Sequence, residues 1–157
     1  MNVSHRIILA LALGVIVALG AHAAPQEGLF EGKFSGTVKG DAESSTELVL
    51  NLAQAGLSVN GTAAFGSGLK ADPGGFFICP GIVEVPSGTI GVSGTVSEDN
   101  PAHLEARSGL SAAGLSIGVD VLADISADGR TLNLQMMLKL PWPCRSPAFQ
   151  GTLTRLS

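Results

Sequence analysis

Short chains build active centres from histidine, cysteine and paired carboxylates, and this one is poor in all three. It has three histidines and two cysteines in 157 residues. His5 and His22 fall in the first two dozen residues, so His103 alone remains in the body of the chain. A nucleophilic triad needs a base with an acid behind it and a hydroxyl or thiol in front. No spacing around His103 names either partner, and a strand-edge histidine is the expectation. Asp120 and Asp124 share one strand face, but four residues of strand separate them by about 13 Å, too far to share a calcium ion. Asp128 lies in the next turn, and Glu98-Asp99-Asn100 before Pro101 also reads as a turn. Asp41, Glu43 and Glu47 form an acidic loop and strand start that serves solubility. No catalytic residue, metal site or cofactor is expected.

Composition narrows the partners. Nine Lys and Arg against 13 Asp and Glu give a net charge of −4, the wrong sign for a polyanion, so no nucleic acid is expected. Aromatics are 4% of the chain and tyrosine is absent, which leaves few stacking surfaces for sugars or bases. A glycosidase with paired carboxylates is disfavoured on the same ground. Asn60-Gly61-Thr62 matches a glycosylation acceptor, and strand chemistry explains it equally well.

The elements that must position any site begin after an address. A polar start with Arg6 leads into the apolar run Ile7 to Ala21, then Ala21-His22-Ala23 before Ala24-Pro25. That is the three-part pattern of a secretory signal peptide, expected as a helix over residues 1–23 with cleavage near Ala23. A membrane anchor is the competing reading, but the run is short for a span and no basic cluster comes after it. The remaining chain, 24–157, is one domain without a stable membrane span, exported to the periplasm or outside the cell. Cys79 and Cys144 then meet an oxidising compartment, and two cysteines allow one intramolecular bridge, closing a 65-residue loop. An intermolecular bridge or two free thiols are the alternatives.

Alternation with period two runs through most of the chain beyond Pro25, the mark of half-buried strands. Phe30, Gly32, Phe34, Gly36 and Val38 share a face over residues 30–38, as do Leu48, Leu50 and Leu52, then Leu57, Val59, Gly61, Ala63 and Phe65. Ile90 to Val96, Leu115 to Ile125, Leu132 to Leu140 and Phe149 to Leu153 repeat the pattern, with Asp128-Gly129 as a hairpin turn. Segments 76–85 and 103–110 are weaker strands, the first interrupted by Pro80; Gly66–Gly75 and Pro141–Cys144 read as loops. The expected fold is all-β, an antiparallel up-and-down barrel of about eight strands, with a β-sandwich as the alternative. A short pattern, apolar-polar-Gly-Thr-apolar, recurs around Gly36, Gly61, Gly94 and Gly151. Inward glycine lets a strand coil sharply enough to close a small barrel. The first and last copies, FSGTV and FQGTL, are the most alike, so the end strands are expected to pair.

The rhythm LVLNLAQAGLSVNGT and the terminal strand FQGTLTRL resemble the lipocalin-like, or calycin-type, barrels of small exported bacterial proteins. Gly32-Lys33-Phe34 stands where true lipocalins carry Gly-x-Trp. The predicted bridge also gathers Phe76 and Phe77 near Trp142, as an aromatic plug at one barrel end or the mouth of a pocket whose walls would include Met136, Phe34 and Phe149. The first functional expectation is a non-enzymatic exported barrel binding a small apolar molecule or lipid inside, with room left by the inward glycines. The second is an envelope or secreted interaction or structural protein, for example an inhibitor, with a filled core and contacts through Gly66–Gly75 and Pro141–Pro147. A hydrolase ranks third.

Overall fold

A computed structural model describes residues 28–112 and 115–157. The leader assigned to residues 1–23 lies outside them. Ten strands form in chain order: β1 (Gly32–Lys39), β2 (Ser45–Ala55), β3 (Ser58–Phe65), β4 (Lys70–Ala71), β5 (Val83–Glu84), β6 (Gly88–Val96), β7 (His103–Ala112), β8 (Leu115–Ile125), β9 (Thr131–Lys139) and β10 (Ala148–Arg155). Eight of them close a barrel in the order β1-β10-β9-β8-β7-β6-β3-β2, and β4 and β5 pair separately. The first and last strands are antiparallel neighbours, Phe34 opposite Arg155 and Val38 opposite Gly151. Closure leaves the ring without an open edge along that seam and excludes the sandwich.

The alternation sets which side chains turn inward. Phe34 and Val38 of β1, Leu48, Leu50 and Leu52 of β2, Leu132, Leu134, Met136 and Leu138 of β9, and Phe149 and Leu153 of β10 are buried together. One residue of slip would turn each row to water, so the apolar rows fix the register. Thr46 is the buried polar exception, and its hydroxyl donates to the Ser67 carbonyl at 3.0 Å.

The recurrent glycines have a tighter role than leaving room. A Cβ on Gly36 would meet the Thr152 carbonyl and Leu153; on Gly61, the Asn51 carbonyl and Leu52; on Gly94, the Glu105 carbonyl and Ala106; on Gly151, the Thr37 carbonyl and Val38. At each, the neighbouring strand already fills the position. The coiling is the expected one, and at these four positions the space is taken by the neighbouring strand's backbone.

Three local expectations change. Leu57 belongs to the β2–β3 turn, where Gly56 takes a left-handed φ of 60°, and is exposed. Segment 76–85 forms only the two-residue β5, since Pro80 supplies no ladder donor. Phe30 precedes β1 in a turn (Glu31 N–H donates to Gly28 O, 3.0 Å) and is completely buried at the end of the barrel that carries the chain termini. Its N–H donates to Gln54 Oε1 at 3.0 Å. Arg155 fastens that cap: its guanidinium donates to the carbonyls of Leu29, Glu31 and Gly129 and lies 4.6 Å from the centre of the Phe34 ring. The aromatic cap of this barrel is Phe30, at the end away from the disulfide.

Candidate functional site

The two long connections, β3 to β6 and β9 to β10, leave the barrel at the same end. Within the first, β4 and β5 pair Lys70 with Glu84 and Ala71 with Val83, and bury Leu69, Ala71 and Val85 over the barrel mouth. Polar contacts hold this flap to the β1–β2 turn: Asp41 N–H donates to Lys70 O (2.9 Å) and Asp72 N–H to Asp41 Oδ2 (2.8 Å). The second connection reaches across with Arg145, whose Nη2 donates to Asp72 Oδ2 at 2.9 Å and whose backbone N–H donates to Pro73 O at 2.9 Å. Cys79 and Cys144 are bonded, with Cα atoms 5.3 Å apart. Two loops distant in sequence are thereby one stapled unit.

Above the staple sits a crown of apolar side chains in water. Trp142 is 92% exposed, Phe77 85% and Ile78 79%, with Phe76, Ile82 and Val83 exposed beside them. The Phe76 and Phe77 rings meet edge to face, 4.2 Å between centres and 78° between planes. Phe77 holds a φ of 55°, a left-handed conformation that a bulky residue occupies only under strain. The loop closes on itself, Gly75 N–H donating to Pro80 O (3.0 Å) and Cys79 N–H to Phe76 O (3.0 Å). From Pro73 to Val83 no side chain carries a charge or a hydrogen-bonding group, and from Leu140 to Cys144 only the Trp142 indole does. Scattered exposed apolar residues are ordinary; six on one disulfide-tied pair of loops are not.

Of the residues singled out in the sequence, Cys79 and Cys144 are joined, and Phe76, Phe77 and Trp142 are exposed on the loops that this bridge ties. Met136, Phe34 and Phe149 are buried in the core. Ile78, Ile82 and Val83 escaped the sequence reading. The signal that marks them is the uninterrupted run of eleven residues without a polar side chain.

The interior holds a void of about 20 Å³, walled by apolar side chains including Leu50, Phe65, Ile90, Val121 and Met136. That is room for about one water, against several hundred cubic ångströms for a typical ligand pocket. One seam is incomplete. β6 and β7 pair only from Val92–Ser108 to Val96–Leu104. Beyond Val92, Gly88–Gly91 pair with β3, Gly109–Ala112 pair with β8, and the Gly91 carbonyl accepts the Ser108 hydroxyl. A cleft of about 350 Å³ opens there, and Phe65 and Ile90 line both it and the interior void.

The polar residues form separate cross-strand pairs. His103 Nδ1 lies 2.7 Å from Asp124 Oδ1, a partner set by the β7–β8 register that sequence spacing could not name. Its Nε2 faces Glu105 at 3.9 Å, where a triad would place a hydroxyl. Asp120 pairs instead with Lys139 Nζ at 2.7 Å. Glu98 and Asp99 bend into a turn that Asn100 opens, its Oδ1 accepting the Ala102 N–H and its carbonyl the His103 N–H. Among the described residues no cluster of His, Cys, Asp and Glu could hold a metal ion.

No protein-family model matches this chain, and no curated protein does. Solved structures are similar in fold. A protein named EF1p2_mFAP2b, solved bound to DFHBI, has a TM-score of 0.53 at 12% identity, covering 82% of this chain and 94% of that one. A redesigned β-barrel has the same TM-score and identity, covering 86% of this chain and all of its own. The likeness is one of barrel architecture.

Proposed function

We propose that this chain is a non-enzymatic, exported interaction protein that meets an envelope partner through the disulfide-tied crown, with the barrel as its rigid support. One observation carries the reading: six large apolar side chains stand in water on a loop pair held by a disulfide and an Arg145–Asp72 ion pair. Their exposed area is on the order of 800 Å², above the largest apolar patch of a typical monomer and near one partner's share of a standard interface. A loop with no function would shed such residues, because they cost solubility and, at Phe77, backbone strain. The bridge fits an oxidising compartment, which is the basis for export. The test is photo-crosslinking in the expressing cell, with a photoreactive residue at Trp142 or, as a control, at Asn133 on the outer barrel wall. Adducts specific to position 142 are the expected result; equal labelling at both positions, or none at 142, contradicts it.

A second reading keeps the interior as a site for a small apolar molecule. The observation that favours it is the split β6–β7 seam, where Phe65 and Ile90 line both the outer cleft and the void. The fold likeness to a barrel solved with a small molecule is compatible with it. Saturable uptake of an apolar dye, abolished by Ile90→Trp while crown contacts persist, would establish this reading over the first.

A further inference from the structure

Resting on the reading of the crown as the contact surface, we infer that its partner is the interfacial zone of a lipid bilayer. The crown lacks what a protein partner would read. Protein interfaces are little more than half apolar and form about one hydrogen bond per 100–200 Å². Here the tip, Pro73 to Val83 with Leu140 to Cys144, offers the Trp142 indole N–H as its only side-chain hydrogen-bonding group.

The backbone points the same way. Lipid supplies no partners for N–H and C=O groups, so a segment entering it must satisfy its own or lack them. Six of the chain's eight prolines, 73, 80, 86, 141, 143 and 147, lie in the two loops, and each removes one donor. Gly75, Cys79 and Cys144 spend their N–H groups within the loops, on Pro80, Phe76 and Pro141 carbonyls, and those of Phe76, Phe77, Ile78 and Trp142 are left for the water and headgroups of the interfacial zone.

Shape and charge agree with this. Near-full exposure of Trp142, Phe77 and Ile78 makes the crown a projection and not a groove. A tryptophan with a polar tip beside phenylalanines and isoleucines is the composition that settles at the headgroup–acyl boundary. Of the cations at the base, Arg145 is committed to Asp72 and Lys70 stands opposite Glu84 across the β4–β5 pair, and the chain as a whole is acidic. The bilayer it suits is therefore zwitterionic, held by apolar burial and not by counter-charge.

Trp142 is the only tryptophan, so its emission reports the crown alone. The experiment mixes the purified, disulfide-bonded chain with phosphatidylcholine vesicles and tracks emission and vesicle flotation. A blue shift of Trp142 with co-flotation is expected, unaffected by raised salt and no stronger with anionic lipid. Replacing Phe77 by Asn should weaken partitioning about tenfold, the loss of one buried aromatic side chain. Unshifted emission overturns the bilayer. In that event, crown-dependent dimers in sedimentation, or protein adducts from position 142, leave the crown as a contact surface with a different partner. Neither dimers nor adducts would remove the contact reading as well.

Discussion

Phe77 shows the conflict between folding and exposure at the smallest scale. Its φ of 55° suits glycine or asparagine, and its ring is mostly bare to water, with the Phe76 edge as the one ring contact to offset the strain. Phe77→Asn should therefore leave thermal stability unchanged or raise it by up to about 1 kcal/mol, while weakening crown contacts. A thermal melt beside a vesicle titration checks both halves; a clear loss of stability would mean the ring has a packing role. Asp128 shows local chemistry of another kind. Hydrogen bonds from the Ser126 hydroxyl and the Arg130 N–H hold its carboxyl below the ordinary carboxylate value. A pKa depressed in the folded state gives stability that is present at neutral pH and is lost as pH falls through the depressed value. By NMR titration Asp128 should protonate below the ordinary aspartate value, and Ser126→Ala should move its midpoint up. No movement would assign the shift elsewhere. Neither Phe77's backbone nor the His103–Asp124 pair could be read from spacing. Both depend on which segments the closed sheet brings together.

The strands were the legible part, because period-two burial writes itself into sequence whenever one face is dry. Phe34, Leu50, Leu134 and Phe149 all turn inward as their alternation predicts. What escaped was local. Leu57 keeps the alternation yet falls beside Gly56 in a turn, and Phe30 extends a strand pattern yet precedes the strand. Alternation identifies a face but not the residue at which pairing stops. The glycine repeat was legible as a coiling device, though not as a close approach of neighbouring backbones. Gly61→Ala should cost about 2–3 kcal/mol, since its Cβ would meet the Asn51 carbonyl. Gly91→Ala, where a Cβ meets nothing within 4 Å, should cost a few tenths at most. Denaturant melts of the pair separate the two roles; equal effects would remove the close-approach account. The staple belongs to this scale as well. Closing 65 residues of chain is worth about 4 kcal/mol on the entropic model. Reduction should lower the melting temperature while the far-ultraviolet β signal persists at 25 °C; an unchanged melting temperature would show that the bridge constrains little.

At the scale of the whole molecule, the barrel divides its two ends between different tasks. The end that carries the start of β1 and the end of β10 is closed by Phe30, whose flanking Leu29 and Glu31 carbonyls the Arg155 guanidinium holds, and the opposite end is covered by Leu69, Ala71 and Val85 and raises the crown above them. Aromatics beside a predicted bridge suggested a plug or a pocket mouth because such rings are commonly core. Trp142 and Phe77 face water instead, since the flap beneath them has already covered the barrel mouth. Sequence could bring these residues to one place through the cysteines, but not say which side of the flap they occupy. A packed interior and an exposed apolar projection form the central claim, and native mass spectrometry of the purified chain tests it most directly. The expected mass is that of the bare, disulfide-bonded protein. A stoichiometric apolar molecule retained inside the barrel would contradict it.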